Sequence, residues 1–354
     1  MIEIFKNQTV LITGHTGFKG SWLSLILKYL GANLVGVSNN VVTKPSHYEN
    51  IKDIFSHDLR ANIEEKDSFS SILKKYRPKF IFHLAAQAIV STSFEDPYQT
   101  FASNTIGTLN LVEALRLDPF PCTAILITSD KAYKNLEIDR GYHEEDILGG
   151  IDPYSSSKGA AELIIQTYFK TFFSNSIDIN IGVARAGNVV GGGDWSANRL
   201  IPDAIRAWTN HESLLIRNPE STRPWQHILD PLYGYISLAQ YLGKQQIPNG
   251  SIFNFGPNVT KSATVKKVAT CLQNRLPNFS WHKDEDAKIF FESKLLALDS
   301  RKAERLLNWN TILNLDEVIE WTALWYLNFY SKSPNEISNF SLNQIQKYFD
   351  KVKK

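Results

Sequence analysis

The chain has 354 residues, of which 43% are hydrophobic and 21% charged. That balance excludes a disordered chain and gives length for one large or two ordinary domains. A formal net charge of +2 offers no strong field for nucleic acid or an anionic membrane, and no run of about 18 apolar residues is present to span a bilayer. The opening MIEIFKNQTV lacks a basic stretch followed by an apolar one, so no secretory signal is expected there. Cys122 and Cys271 are the two cysteines. Their separation, with no Cys-x-x-Cys spacing, points to a reducing, cytoplasmic setting and to no metal site.

Thr9–Thr13 is an apolar, β-branched run and predicts a strand. Gly14-x-x-Gly17-x-x-Gly20 follows directly, and Trp22, Leu23, Ile26, Leu27 and Leu30 then recur at helical spacing. Strand, glycine turn and amphipathic helix in this order open a dinucleotide-binding βαβ unit. Gly14 can turn at positive φ, Gly17 lets phosphate oxygens approach the backbone, and Gly20 lets helix pack close to strand. The pyrophosphate is then expected at the helix N-terminus, where the dipole favours anions.

Leu34–Val37 predicts a second strand, ending at Ser38-Asn39-Asn40. Many NAD sites carry an acidic residue here for the adenosine ribose; this chain has Asn39. No arginine stands beside it in sequence to pair with a 2′-phosphate, though Lys44 follows, so NAD is favoured over NADP. Asp58, in His57-Asp58-Leu59, reads equally as an adenine contact or as a turn residue. Phe69, Ile72, Leu73 and Tyr76 mark a helix that Arg77-Pro78 stops. Phe80–Leu84 predicts a strand ending in Ala85-Ala86-Gln87-Ala88, small residues over which a cofactor can lie. A long helix from about Asp96 to Arg116 precedes a fourth strand, Ala124–Thr128. This β-α-β-α-β-α-β order predicts an α/β fold with a doubly wound parallel sheet.

Residues 129–158 carry the chemistry. Ser129-Asp130-Lys131 falls where the fourth strand ends, at the face where open α/β sheets bind ligands. Gly141–Gly150 reads as a loop. Asp152-Pro153 then opens a helix in which Tyr154 and Lys158 stand at i and i+4 on one face. A lysine cation near a phenol favours phenolate, so Lys158 is expected to lower the Tyr154 pKa and make it a usable base. Ser129 is expected to bond the same substrate oxygen, and Lys158 to hold the nicotinamide ribose.

Ile179–Ala184 predicts a further strand leading to Arg185-Ala186-Gly187-Asn188. Gly191–Pro202 is turn-rich and carries Arg199, Leu214–Arg217 is a short strand, and Arg223 opens a basic, aromatic cluster. An apolar helix from about Leu229 to Leu242 and a strand at Ile252–Phe255 read as returning to the sheet. Helices near 262–275, 300–308 and 315–330, and a short one near Leu342–Val352, complete a smaller lobe. The two parts therefore interleave: 1–185, with a return near 226–256, for the dinucleotide, and 186–354 mainly for substrate. Arg199 and Arg223 suit bidentate contact with a diphosphate, which suggests a nucleotide sugar.

These residues resemble the extended short-chain dehydrogenase/reductase family, and within it the CDP-glucose 4,6-dehydratases. The stretches ITGHTGFKGSWLSL, HLAAQAIV, TSDKAY, EEDILGGIDPYSSSKGAAE, RAGNVVGGGDW and RPWQHILDPL carry the likeness through most of the chain. The HTGFKGSWL loop, the Asp130-Lys131 pair and the GGGDW turn are the narrow features; Ala132 and Lys134 depart from that group, which more often has Cys and Glu there. The resemblance implies a Rossmann domain of the extended type with NAD as cofactor. Its expected contacts are Gly14, Thr16, Gly17, Phe18, Gly20, Asn39, Asp58, Leu59, Leu84, Ala85 and Ala86, with Tyr154 and Lys158. Gln87, Asn188, Arg199 and Arg223 are the expected substrate contacts, and Ser129, Asp130, Lys131, Tyr154 and Lys158 the expected catalytic set. It further implies oxidation at C4 of a nucleotide hexose, loss of water across C5 and C6 with Asp130 as acid and Lys131 as base or electrostatic stabiliser, and return of hydride to C6. A homodimer or homotetramer is expected, the dimer packing the helix at about 97–115 and the Tyr154 helix into a four-helix bundle. The rival readings are a nucleotide-sugar 4-epimerase, which has no use for Asp130-Lys131, and a non-catalytic NAD sensor.

Overall fold

The computed structural model describes residues 3–138, 140–257, 262–285 and 296–353; the remainder of the two expected parts, 1–185 and 186–354, lies outside that description. The first half runs β1 (Thr9–Thr13), α1 (Phe18–Tyr29), β2 (Asn33–Ser38), β3 (His57–Arg60), α2 (Lys66–Tyr76) and β4 (Phe80–His83). It continues through α3 (Val90–Glu95), α4 (Pro97–Phe101), α5 (Gly107–Leu117), β5 (Cys122–Ile127), α6 (Pro153–Tyr168) and β6 (Ile179–Ala186). The second half contains β7 (Val189–Val190), α7 (Leu200–Thr209), β8 (Leu214–Ile216), β9 (Thr222–Arg223), β10 (Gln226–His227), α8 (Leu229–Gly243) and β11 (Ile252–Phe255). Then come β12 (Ala263–Thr264), α9 (Val265–Gln273), β13 (Trp281–Lys283), α10 (Arg301–Leu307), α11 (Leu315–Phe329) and α12 (Pro334–Val352).

Seven strands form one parallel sheet in the order β11-β6-β5-β4-β1-β2-β3. The expected doubly wound α/β architecture is therefore present. Register aligns Val10 with Leu34 on one side and with Phe80 on the other. Period-two alternation sorts the strand residues between two cores. Val10, Ile12, Phe80, Phe82, Ile125 and Ile127 pack with α1 and α8, whereas Leu11, Ile81, Ala124 and Leu126 pack with α2 and α5. Strand order reverses at β1, so the carboxyl ends of β1 and β4 open a crevice there.

Four expectations change. The apolar stripe of the first helix is wider than its spacing suggests: Gly20 through Leu27 are all buried, because α8 and α12 cover the face turned from the sheet. His57-Asp58-Leu59 is strand, not turn: β3 extends the sheet beyond β2, pairing Ser38 with Arg60. The long helix is interrupted by a π turn at Ala102–Ile106 between α4 and α5. The last helix runs 19 residues from Pro334, opened by a capping box between Ser333 and Glu336. Among the described residues no helix is long and apolar enough to cross a membrane.

Candidate active site

At the β1 end, Gly14 adopts φ +73 and donates its N–H to Val37 O at 2.8 Å. A Cβ on Gly14 would stand 2.7 Å from the Ala85 nitrogen, and one on Gly20 only 2.0 Å from the Gly14 carbonyl. Both close approaches involve backbone, so both glycines are sterically required. Gly17 differs. Its Cβ would meet the Gly14 oxygen alone, at 3.3 Å. Gly17 caps α1 with no side chain bonded to the first-turn amides. The helix thus presents donors and a positive dipole end in a cradle that a side chain would narrow, which suits a dinucleotide pyrophosphate. Thr16 is pinned by its hydroxyl to Asn40 O at 2.7 Å, and Phe18 packs into the core beside it. Leu84, Ala85 and Ala86 stand half-buried at the β4 end, where the Ala85 amide bonds Thr13 Oγ1 at 3.1 Å.

Further along the crevice the picture departs from the sequence. Asn39 is exposed at the end of β2. Asp58 takes His15 Nε2 at 2.9 Å, the Tyr48 hydroxyl and the Arg60 guanidinium. Those three donors hold its carboxyl below the usual range although burial opposes them. Leu59 packs beneath, against the α2 face. An arginine absent from the sequence neighbourhood of Asn39 is brought there by the sheet. Sheet pairing places Arg60 opposite Ser38, where its guanidinium is bonded by Asp58 and Tyr48.

The expected catalytic residues converge at the ends of β5 and α6. Asp152 caps α6, accepting the Ser155 amide at 2.9 Å, with Pro153 in the first turn. This fixes the helix start, so Tyr154 and Lys158 both turn inward and are 8% and 6% exposed. The Ser129 hydroxyl lies beside the Tyr154 phenol, whose pKa it tends to hold down, and donates to Asp130 Oδ1 at 2.9 Å. Ser129 also caps a short 3-10 turn at Asp130–Ala132, taking the Lys131 amide at 3.2 Å. The Asp130 carboxylate rests on Gly187: a Cβ there would lie 2.0 Å from Oδ2. Lys131 is half-buried on the same turn.

The expected effect of Lys158 on Tyr154 is not what the structure shows. The Tyr154 phenol is pushed up, chiefly by burial, with Asp130 and Asp152 adding to the rise and Ser129 opposing it. Lys158 Nζ lies 6.0 Å from the ring centroid, over the ring. Burial brings Lys158 itself down to about 8, with Glu162 opposing.

Sequence reasoning missed two residues of this pocket. Lys19, from the glycine loop, is brought down to about 8 by burial, with Arg199 and Lys158 adding and Asp130 and Asp194 opposing. Its Nζ donates to the Tyr235 hydroxyl at 3.4 Å. Tyr235, on α8, is fully buried, and its phenol is pushed up by burial with Asp130 and Tyr154 nearby. A lysine at the start of an otherwise apolar helix was the available signal for Lys19. Tyr235 offered none, being one aromatic in an apolar helix.

The expected substrate residues are placed unevenly. Arg199 ends the turn-rich segment at the α7 N-terminus, with Nη1 on Asp194 Oδ2 at 2.9 Å and Nη2 on Ala88 O at 3.2 Å. Asn188 adopts φ +51 beside Gly187 and accepts the Gln226 amide on its carbonyl at 3.3 Å. Arg223 lies on β9, its Nη1 donating to Thr222 O at 2.7 Å. Gln87 braces its own loop: its amide nitrogen bonds Ile89 O at 2.9 Å and Thr100 Oγ1 at 3.0 Å. Asn104, within the π turn, ties that loop to α6 through Gln87 O at 3.0 Å and Ser157 Oγ at 2.9 Å.

The family model for GDP-mannose 4,6 dehydratase matches residues 11–322. The CDP-glucose 4,6-dehydratase of Salmonella typhimurium is 38% identical over 334 residues, covering 91% of this chain and 92% of that one. The CDP-paratose 2-epimerase of Salmonella typhi is 25% identical over 352 residues, covering 89% and 99%. The structure of UDP-glucose 4-epimerase from Thermotoga maritima, with UDP-glucose, superposes with TM-score 0.77 at 22% identity, over 92% of this chain and 100% of that one. The dTDP-glucose 4,6-dehydratase from Bacillus anthracis, in complex with NAD, gives 0.73 at 21% identity, over 92% and 98%. These two structures share the fold.

Proposed function

The chain belongs to the GDP-mannose 4,6-dehydratase family, within the extended short-chain dehydrogenases/reductases, and from that membership we propose that it is an NAD-dependent hydro-lyase converting CDP-D-glucose to CDP-4-keto-6-deoxy-D-glucose and water. The observation that carries this reading is the Asp130–Lys131 turn held beside Ser129 and Tyr154. When bound, NAD accepts hydride from C4 of the hexose and returns it to C6. Tyr154, as phenolate, would take the C4 hydroxyl proton while Ser129 holds that oxygen. The resulting ketone acidifies C5–H. Lys131 then acts at C5, as base for that proton or as a cation beside the enolate oxygen. Asp130 protonates the departing C6 hydroxyl, which leaves as water; the C5–C6 double bond so formed would take hydride at C6 and a proton at C5, returned by Lys131 where it served as the base. Lys158 holds the nicotinamide ribose, and Arg199 with Arg223 takes the substrate diphosphate.

We assign the dinucleotide to 1–185 with the return near 226–256, and the nucleotide sugar mainly to 186–354. Free Cys122 and Cys271 support a reducing cytoplasmic location. Apolar side chains exposed on α4 and α6, Tyr98 and Leu163 among them, support a dimer built on those helices and α5. The same scaffold serves 4-epimerases, but an epimerase has no use for an acid and a lysine aimed at C5 and C6. The deciding experiment incubates the protein and NAD with CDP-, dTDP-, UDP- and GDP-glucose and follows product mass. Loss of one water from CDP-glucose supports the proposal. An isobaric product identifies an epimerase, and no conversion of any of the four overturns the enzymatic reading.

A further inference from the structure

One fully buried ion pair lies behind the candidate active site and takes no part in the chemistry above. Neither Glu162 nor Arg185 has any side-chain exposure. Glu162 stands one turn beyond Lys158 on α6, and Arg185 lies on β6 two residues before Gly187. Arg185 Nε donates to Glu162 Oε1 at 2.7 Å, and Nη2 donates to Oε2, a two-point pair of fixed geometry. Each partner then reaches one side of the catalytic turn. Glu162 Oε1 accepts the Thr128 hydroxyl at 2.6 Å, from the residue immediately before Ser129. Arg185 Nη1 donates to the Tyr133 hydroxyl at 2.5 Å, and Tyr133 closes the Asp130–Ala132 turn. The Tyr133 hydroxyl passes on to Asn254 Oδ1 on β11 at 2.9 Å. Arg185 Nη1 also bonds Glu144 O at 3.0 Å.

Stability alone is a weak reason for such a pair, because apolar residues of the same volume often serve a core as well. Position is the better reason. The ion pair joins α6, which carries Tyr154 and Lys158, to the strand end that carries Ser129 and to the turn that carries Asp130 and Lys131. We propose that the Glu162–Arg185 pair is the positioning centre of this site, setting Ser129 against Tyr154 through Thr128 and setting the Asp130–Lys131 turn through Tyr133. The inference rests on the dehydration reading, in which those two arms serve different steps. Thr128 governs hydride transfer, and Tyr133 governs elimination.

The test uses Thr128→Val and Tyr133→Phe, each removing one hydroxyl with little change of shape, and Thr128→Ser, which restores the donor. Rapid mixing with NAD and CDP-glucose reads NADH by absorbance and water loss by quenched mass spectrometry. Small displacements of catalytic groups slow chemistry steeply, so each variant is expected to slow its own step on the order of 10-fold or more. Thr128→Val slows NADH appearance, and Thr128→Ser recovers it. Tyr133→Phe leaves NADH appearance close to wild type but slows water loss, so NADH accumulates. Equal slowing of both steps in both variants, or no slowing, overturns the proposal. Amide hydrogen exchange on the same proteins reads position without turnover. Tyr133→Phe is expected to speed exchange in residues 130–134 while α6 stays protected, and unchanged exchange there overturns the proposal whichever sugar the enzyme accepts. Absence of conversion by wild type, with exchange altered as described, overturns the dehydration reading alone.

Discussion

At the scale of single residues, Tyr154 and Lys158 carry the main electrostatic finding. Burial raises the phenol and lowers the ammonium, so the surroundings work against the charged form of each, more gently for Lys158, which keeps its proton at neutral pH. Lys158 is protonated below about pH 8 and loses its charge as pH rises through that value. The ribose-holding role proposed for Lys158 needs the cation, so kcat/KM is expected to fall on the alkaline side with a midpoint near 8. Lys19 titrates in the same window, so the limb belongs to the pair. A profile flat through that range overturns the requirement for a cationic lysine. Two substitutions separate the steps. Tyr154→Phe removes the acceptor of the C4 proton and is expected to lower NADH formation by on the order of 10²-fold or more. Lys131→Met is expected to leave NADH formation intact and stop water loss, so NADH builds up on mixing. Normal turnover in Lys131→Met, or unchanged NADH formation in Tyr154→Phe, refutes the role assigned. Tyr154, Lys158, Ser129 and Asp130 were legible from spacing and strand position. The direction of the Tyr154 shift was not, because spacing fixes a helix face but not the distance from ammonium to hydroxyl.

At the scale of elements, the glycine turn and the interrupted helix show how local sequence and close packing divide the work. Gly17 has φ −77, a conformation open to any residue, and a Cβ there would meet only the Gly14 oxygen, at 3.3 Å, a tight contact relieved by a shift of a few tenths of an ångström. Gly17→Ala is therefore expected to keep the thermal midpoint of wild type while weakening dinucleotide binding, read by NADH fluorescence titration. Gly20→Ala puts a methyl group against the Gly14 carbonyl and is expected to lower both. Wild-type affinity in Gly17→Ala would place the pyrophosphate elsewhere. The helix expected from Asp96 to Arg116 has helical residues throughout its length, yet a π turn interrupts it. The turn holds Asn104 between the Gln87 loop and Ser157 of α6. Those partners lie 17 and 53 residues away along the chain, beyond the reach of any periodicity argument.

At the scale of the whole molecule, α4, α5 and α6 lie side by side with Tyr98 82% and Leu163 57% exposed. A charge at the centre of an apolar interface leaves an unpaired ion to bury. Leu163→Arg is accordingly expected to convert a dimer to a monomer in sedimentation velocity, with the circular dichroism spectrum unchanged. A wild-type protein that already sediments as a monomer, or a variant that still dimerises, refutes this face as the interface.

The sequence by itself determined every strand of the sheet except β3, the winding and the crevice at the β1 end, because alternating apolar runs, a glycine turn and a stop at Arg77-Pro78 are local signals. It also determined which residues end the strands there, and so most of the candidate site. Tertiary structure alone decided how those residues are charged and held. Arg60 came beside Ser38 through strand pairing, Lys19 met Tyr235 across 216 residues, and Glu162 met Arg185 between α6 and β6. Burial and through-space charge set these properties, and both depend on packing between segments that no window along the chain contains.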